Sequence, residues 1–93
     1  MTDLILAIDQ GTTGSTIALM DTDGRLLTSV NHEFPQIFPQ PGWVEHDPES
    51  IWQSVLYGLS AIFSDTQYLV SQVAAIGITN QRETAVLWDS QTG

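Results

Sequence analysis

Short apolar runs broken by turn residues dominate the first thirty positions of the chain. Leu4-Ile5-Leu6-Ala7-Ile8 is uninterrupted and stops at Asp9, the pattern of a strand covered on both faces. A second run from Ser15 to Met20 is followed by Asp21-Thr22-Asp23-Gly24, and Asp-Gly between strand-like runs signals a hairpin. Arg25 to Val30 returns as a third strand, so the opening reads as an antiparallel meander. Glu33 to Pro48 then collects all four prolines of the chain, with Phe34, Phe38 and Trp43 between them. Proline fixes its own φ and pushes its predecessor to extended geometry, which predicts an ordered connector packed by its own aromatics. A proline-rich peptide ligand is the weaker alternative, because the prolines do not repeat on one face.

Asp47-Pro48-Glu49 has the form of a helix start, with a capping carboxylate, proline in the first turn and a following acid. Ile51, Trp52, Val55, Leu56, Leu59, Ile62 and Phe63 recur three and four apart and predict one broad apolar face, ending near Phe63 to Thr66. Gly58 inside that helix costs about 1 kcal/mol against alanine, which suggests a close approach to the sheet. Gln67 to Gln72 is a connector without a clear pattern. Val73 to Thr79 predicts a buried strand, Asn80-Gln81-Arg82-Glu83 a polar interruption, and Thr84 to Asp89 a further strand leading into a turn at Ser90 to Gly93. The expected order is β-β-β-α-β-β, a mixed sheet covered by a helix, of α/β class.

Composition narrows the chemistry. The 93 residues carry eleven acids against two bases, a formal net charge of -9, and no cysteine. Both bases are arginines, so lysine is absent. So acidic a chain is a poor partner for nucleic acid or an anionic membrane. Without cysteine there is no disulfide, thiolate nucleophile or sulfur-rich metal site, which is compatible with the cytoplasm. No apolar run approaches the ~20 residues of a membrane span, and Met1-Thr2-Asp3 does not open a signal peptide.

The first candidate for chemistry is Asp9-Gln10-Gly11-Thr12-Thr13-Gly14-Ser15. Glycines permit a sharp turn and bring backbone amides near an anion, hydroxyls add uncharged donors, and one carboxylate suits a hydrated Mg²⁺. It is not a Walker loop, lacking the lysine and the helix behind it. Taken alone, it reads first as a hairpin turn with a capping aspartate. The second candidate is Arg82-Glu83, which offers a polyol both donors and acceptors; its plain alternative is a partly exposed ion pair worth ~0–1 kcal/mol. His32 and His46 are too isolated to form a metal site. Glu45 with Asp47 makes a weak acid–base couple, since Asp47 already caps the helix. Trp43, Trp52 and Trp88 read as packing residues.

Three stretches in order, Ala7 to Thr13, Pro41 to Pro48 and Gly77 to Thr84, resemble the FGGY family of carbohydrate kinases across the whole chain. The Asn80-Gln81-Arg82-Glu83-Thr84 stretch is similar to the members that phosphorylate glycerol. The resemblance implies a ribonuclease H-like fold, shared with actin, hexokinase and heat-shock chaperone ATPases. It also implies that residues 1–93 are the N-terminal part of the first of two such domains. By the same resemblance, Asp9 binds the Mg²⁺ that accompanies ATP. Thr12, Thr13, Gly14 and Thr16 then face the nucleotide, with Thr12 also near the phosphorylated product, and Arg82 and Glu83 hydrogen-bond glycerol. The expected activity is transfer of the ATP γ-phosphoryl to glycerol by a cytoplasmic homo-oligomer. The base aspartate lies downstream, so the segment alone is expected to be inactive. A kinase for another polyol or sugar, or a non-catalytic nucleotide-binding module, are the alternatives. The chain departs from the family at Gly14-Ser15-Thr16, where Thr16 stands for an arginine that usually reaches toward the phosphates.

Overall fold

A computed structural model describes residues 3–64, 67–82 and 84–93. Three strands form the expected meander: β1 (Leu4–Gln10), β2 (Gly14–Asp21) and β3 (Leu26–Glu33). Helix α1 (Pro48–Ile62) follows the proline-rich connector, and a short 3-10 turn (Val70–Gln72) leads into β4 (Val73–Thr79). The sheet order is β3-β2-β1-β4, with β4 running parallel to β1 and the other pairs antiparallel. A parallel neighbour requires a crossover, and the connector with α1 supplies it.

The β2–β3 turn is held by Asp21, whose Oδ1 accepts from the Asp23 and Arg25 amides at 3.0 and 2.9 Å. Gly24 takes φ +85° there, the left-handed conformation that glycine adopts without strain. Arg25 adds only long contacts to Asp21 and Asp23, at 3.8 and 3.7 Å, on an exposed side chain. Asp47 caps α1 as its position predicts, accepting from the Glu49 amide at 3.0 Å.

The core lies between α1 and one face of the sheet. Leu4 and Leu6 of β1, Ile17 and Leu19 of β2, and Val55 and Ile62 of α1 form it. At Gly58 the helix comes so near that an added Cβ would stand 2.5 Å from Ile17 Cγ1. One turn earlier, Ser15 and Ser54 meet oxygen to oxygen at 2.7 Å, fully inside. Ser54 Oγ also donates to the Ile51 carbonyl at 2.6 Å, so its single proton is committed and Ser15 must be the donor between them. Removing Ser54 alone strands that donor, and Ser54→Ala should cost about 1–3 kcal/mol, whereas Ser15→Ala/Ser54→Ala should lose less than that single change. Chemical denaturation of wild type and the two variants checks this; a double variant weaker than Ser54→Ala would rule it out.

The buried face of α1 is narrower than its apolar positions suggest. Ser54, Val55, Gly58 and Ile62 are its buried residues, while Trp52, expected on that face, is 55% exposed. Trp43 and Trp88, also expected to pack, are exposed at 54% and 72%. Strand β4 was expected to be buried, yet Ile76 and Ile78 are open to solvent. The reason is placement. Helix α1 lies over β2 and β3 and reaches β1 only lightly, so β4, at the sheet edge, has no layer above it. An apolar groove of about 460 Å³ between Leu59, Phe63, Val73 and Ile76 marks that uncovered region.

The strand expected over Thr84–Asp89 does not form, and this segment runs as irregular backbone. Alternation gives a segment strand character only if a neighbouring strand supplies ladder partners, and none does so among the described residues. The turn after it is present. Asp89 Oδ1 accepts from the Gln91 and Thr92 amides at 2.8 and 3.1 Å, which holds its carboxyl below the usual carboxylate range.

Candidate functional site

The loop joining β1 to β2 reverses over Thr12 and Thr13, both exposed. Its carbonyls are all taken by donors of the protein itself. Gln10 Nε2 donates to the Gly11 carbonyl at 2.6 Å and Gln36 Nε2 to that of Thr12 at 3.0 Å. The Phe34 amide donates to the Thr13 carbonyl at 3.2 Å, and the Gly11 amide to that of Gly14 at 2.9 Å. Free carbonyl oxygens would repel an anion. Here their negative ends are turned into the protein, and the two threonine hydroxyls remain as exposed donors. The loop is therefore suited to phosphate in a way that its residue types alone do not guarantee.

The proline-rich connector builds the other wall. Ile37 and Glu45 exchange backbone hydrogen bonds at 2.9 and 2.7 Å, closing a hairpin-like loop in which Gly42 takes φ +83°. Phe34 is buried and anchors the base of this loop, while Phe38 and Trp43 stay exposed, so only one of its three aromatics packs as expected. Between connector, β1–β2 loop and the segment after β4 lies a cleft of about 960 Å³. Thr12, Thr13, His46, Gln81 and Arg82 line it, with the start of α1 at its floor. Arg82 is exposed and has no acidic partner among the described residues; Glu83 lies outside them.

Asp9 and Thr16 occupy the other face of the sheet. Ser15 points at α1, so its neighbour Thr16 points away, and Asp9 sits opposite Thr16 in the register. A polar row crosses all four strands there, Thr79–Asp9–Thr16–Asn31. Thr79 Oγ1 donates to Asp9 Oδ1 at 2.8 Å, and Asn31 Nδ2 to Thr16 Oγ1 at 2.8 Å. The Asp9 carboxylate is exposed and its second oxygen has no protein donor among the described residues. One accessible carboxylate fits a magnesium ion, which keeps most of its waters and takes one or two acidic ligands beside phosphate. Among the described residues no three metal-binding side chains cluster, so a cation here would need ligands from elsewhere.

Gly14 is buried at the start of β2, and a Cβ there would meet the His32 carbonyl at 2.9 Å and Glu33 Cα at 3.0 Å. Its small size is used against β3. The structure thus gathers Thr12, Thr13 and Arg82 around one cleft, sets Asp9 and Thr16 behind the loop, and places Gly14 in the ladder. Gln36, His46, Gln81, Thr79 and Asn31 hold these groups and carried no sequence signal for that role, since each meets a residue far along the chain.

A model of the N-terminal domain of the FGGY family of carbohydrate kinases matches residues 4–93. The glycerol kinase of Symbiobacterium thermophilum is 58% identical over 89 residues, covering 96% of this chain and 18% of that protein. The crystal structure of Plasmodium falciparum glycerol kinase with ADP superposes with a TM-score of 0.81 at 31% identity, over 98% of this chain and 18% of that one. A gluconate kinase from Lactobacillus acidophilus superposes at 0.74 with 30% identity, over 87% of this chain and 16% of its own. The chain spans about a fifth of the length of the curated relatives it matches.

Proposed function

Because the chain belongs to the FGGY family of carbohydrate kinases, we propose that it is the N-terminal part of an ATP-dependent glycerol kinase. In this reading residues 1–93 open the first of two ribonuclease H-like domains, and the whole protein forms sn-glycerol 3-phosphate. The observation that carries it is the β1–β2 loop, whose four carbonyls are all satisfied internally beside a cleft lined by an arginine with no acidic partner among the described residues.

The resemblance to the family assigns each group a role, with which its chemistry is compatible. Thr12 and Thr13 hydroxyls donate to phosphate oxygens, and the Thr12 side chain also lies toward the product. Gly14 lets the loop close onto β3, and Thr16 supplies a hydroxyl where an arginine is common in the family. A hydroxyl adds no charge, so phosphate charge must be met by other groups. Asp9 would hold the magnesium ion, which when bound neutralises charge on the nucleotide phosphates. Arg82 donates to glycerol hydroxyls through its fork, and Glu83 accepts from them. Deprotonation of the attacking hydroxyl is assigned to an aspartate beyond this chain.

The test is direct. The longer protein carrying this chain should consume ATP in a glycerol-dependent way, while residues 1–93 alone should not; turnover by the short chain would overturn the assignment of the base elsewhere. The family also contains kinases of other polyols, as the gluconate kinase superposition illustrates, so a panel of polyols and sugars belongs in the same assay. Preference for another member of that panel would replace glycerol, and absence of any phosphorylation would favour a non-catalytic nucleotide-binding module. The same reading makes the whole protein a cytoplasmic homo-oligomer. Sedimentation of the longer protein as a monomer would refute the assembly. Among the described residues no helix is long and apolar enough to cross a membrane.

A further inference from the structure

The geometry points to His46 as a positioning residue that ties the phosphate-side loop of the cleft to its polyol-side segment. This inference rests on the reading of the cleft as the kinase's substrate site. Donor and acceptor roles can be followed atom by atom. Gln36 Nε2 donates to the Thr12 carbonyl at 3.0 Å and to the Phe34 carbonyl at 3.4 Å. The amide nitrogen is thus spent, and Gln36 Oε1 must accept. Its partner is His46 Nε2 at 2.6 Å, so the imidazole carries its proton on Nε2. Gln81 Nε2, a donor, faces Nδ1 at 3.4 Å, so this contact uses Nδ1 as the acceptor. The ring is held edge-on against buried Phe34, with centroids 5.0 Å apart and planes at 79°. Phe34 is itself fastened to the Thr13 carbonyl.

The weak point of this chain is Gln81. It is 9% exposed, and its Oε1 is buried with no partner among the described residues. Among the described residues its amide therefore has one hydrogen-bonding restraint on its orientation, the contact to His46 Nδ1. Arg82 follows immediately along the backbone, in a stretch of irregular structure that no ladder holds. Freeing the Gln81 side chain lets the Arg82 backbone drift, whereas Thr12 and Thr13 on the opposite wall stay held by Gln36 and Phe34. His46 touches neither phosphate nor polyol in this scheme; it acts through Gln81 and Gln36.

The experiment uses the longer protein, three single variants and one double variant. His46→Phe keeps the ring against Phe34 and removes both nitrogens, so a packing role alone would leave it close to wild type. It should raise the glycerol KM about fivefold to tenfold, the scale of one lost neutral hydrogen bond, and change the ATP KM less. His46→Gln restores a donor and an acceptor and should recover most of that loss. Gln81→Met should reproduce the His46→Phe effect, and the two together should be no worse than either alone, because they remove one connection. An unchanged glycerol KM in His46→Phe, or fully additive effects, overturns the proposal. If His46→Phe does not fold, Gln81→Met with an unchanged KM overturns it equally. If the wild type phosphorylates a different polyol, the glycerol reading fails and the same variants are read against that polyol's KM. No phosphorylation by the wild type overturns both readings.

Discussion

Gly58→Val should lower stability sharply, because it drives a branched side chain into a filled core. The added Cβ falls 2.5 Å from Ile17 Cγ1 and 3.5 Å from its Cβ and Cδ1, and Ile17 is 0% exposed. No solvent-side space exists into which Ile17 can rotate. Helix propensity acts the other way: alanine in place of glycine gains about 1 kcal/mol. Overpacking a filled core typically costs about 1–3 kcal/mol, so Gly58→Ala should be modestly destabilising. Valine adds two methyls to the same collision, gains less propensity, and should lose about 3 kcal/mol or more. For a domain of this size that lowers the melting temperature by on the order of 15 °C. Thermal denaturation of the 93-residue chain reads this shift; within the longer protein the same loss moves the melting temperature less, because the unfolding entropy is larger. Adding Ile17→Ala opens the space, so the pair should be less destabilised than the sum of the two changes. A melting temperature for Gly58→Val equal to that of wild type would sink the account.

Arg82→Ala should raise the glycerol KM of the longer protein by roughly 10- to 100-fold, as expected for losing hydrogen bonds from a charged donor worth about 1.5–3 kcal/mol. The ATP KM should move far less, because the loop proposed to face phosphate is held by Gln10, Gln36 and Phe34 rather than by Arg82. Arg82→Lys keeps the charge but not the planar fork and should fall between the two. The arginine is free to serve a ligand: it has no acidic partner among the described residues, unlike Arg25, whose two long contacts are to its own hairpin. Steady-state kinetics with each substrate varied in turn decides it, and an unchanged glycerol KM refutes a substrate role for Arg82.

Elements whose signals are local were readable in advance. The meander, the Asp47 cap, the Asp-Gly turn and the turn at Ser90 to Gly93 all depend on neighbours within a few residues. Gly58 was legible as an anomaly, since a glycine inside an apolar helix face asks for a close partner, though not that the partner is Ile17. What failed were judgements of burial and pairing. Alternation over Thr84–Asp89 specifies which residues would share a face, yet a strand forms only beside another strand. Ile76 and Ile78 are apolar enough to be buried, but β4 is the edge and α1 lies over β2 and β3 at the far end of the sheet.

The candidate site divides along the same line. By itself the sequence determined which groups are available: one carboxylate closing a strand, two threonines between glycines, an arginine in a polar interruption, and no lysine to clamp phosphate. Side-chain chemistry and short-range turn geometry are written into adjacent residues, so those features needed no fold. Tertiary structure decided what surrounds them. It turned the loop carbonyls inward through donors from Gln10, Gln36 and Phe34, set Thr79 against Asp9, and joined Gln36, His46 and Gln81 into one connection. Most of these contacts span ten to seventy residues of chain. Only the crossing of strands and the closure of the connector bring such pairs within hydrogen-bonding distance, and no spacing along the chain encodes that.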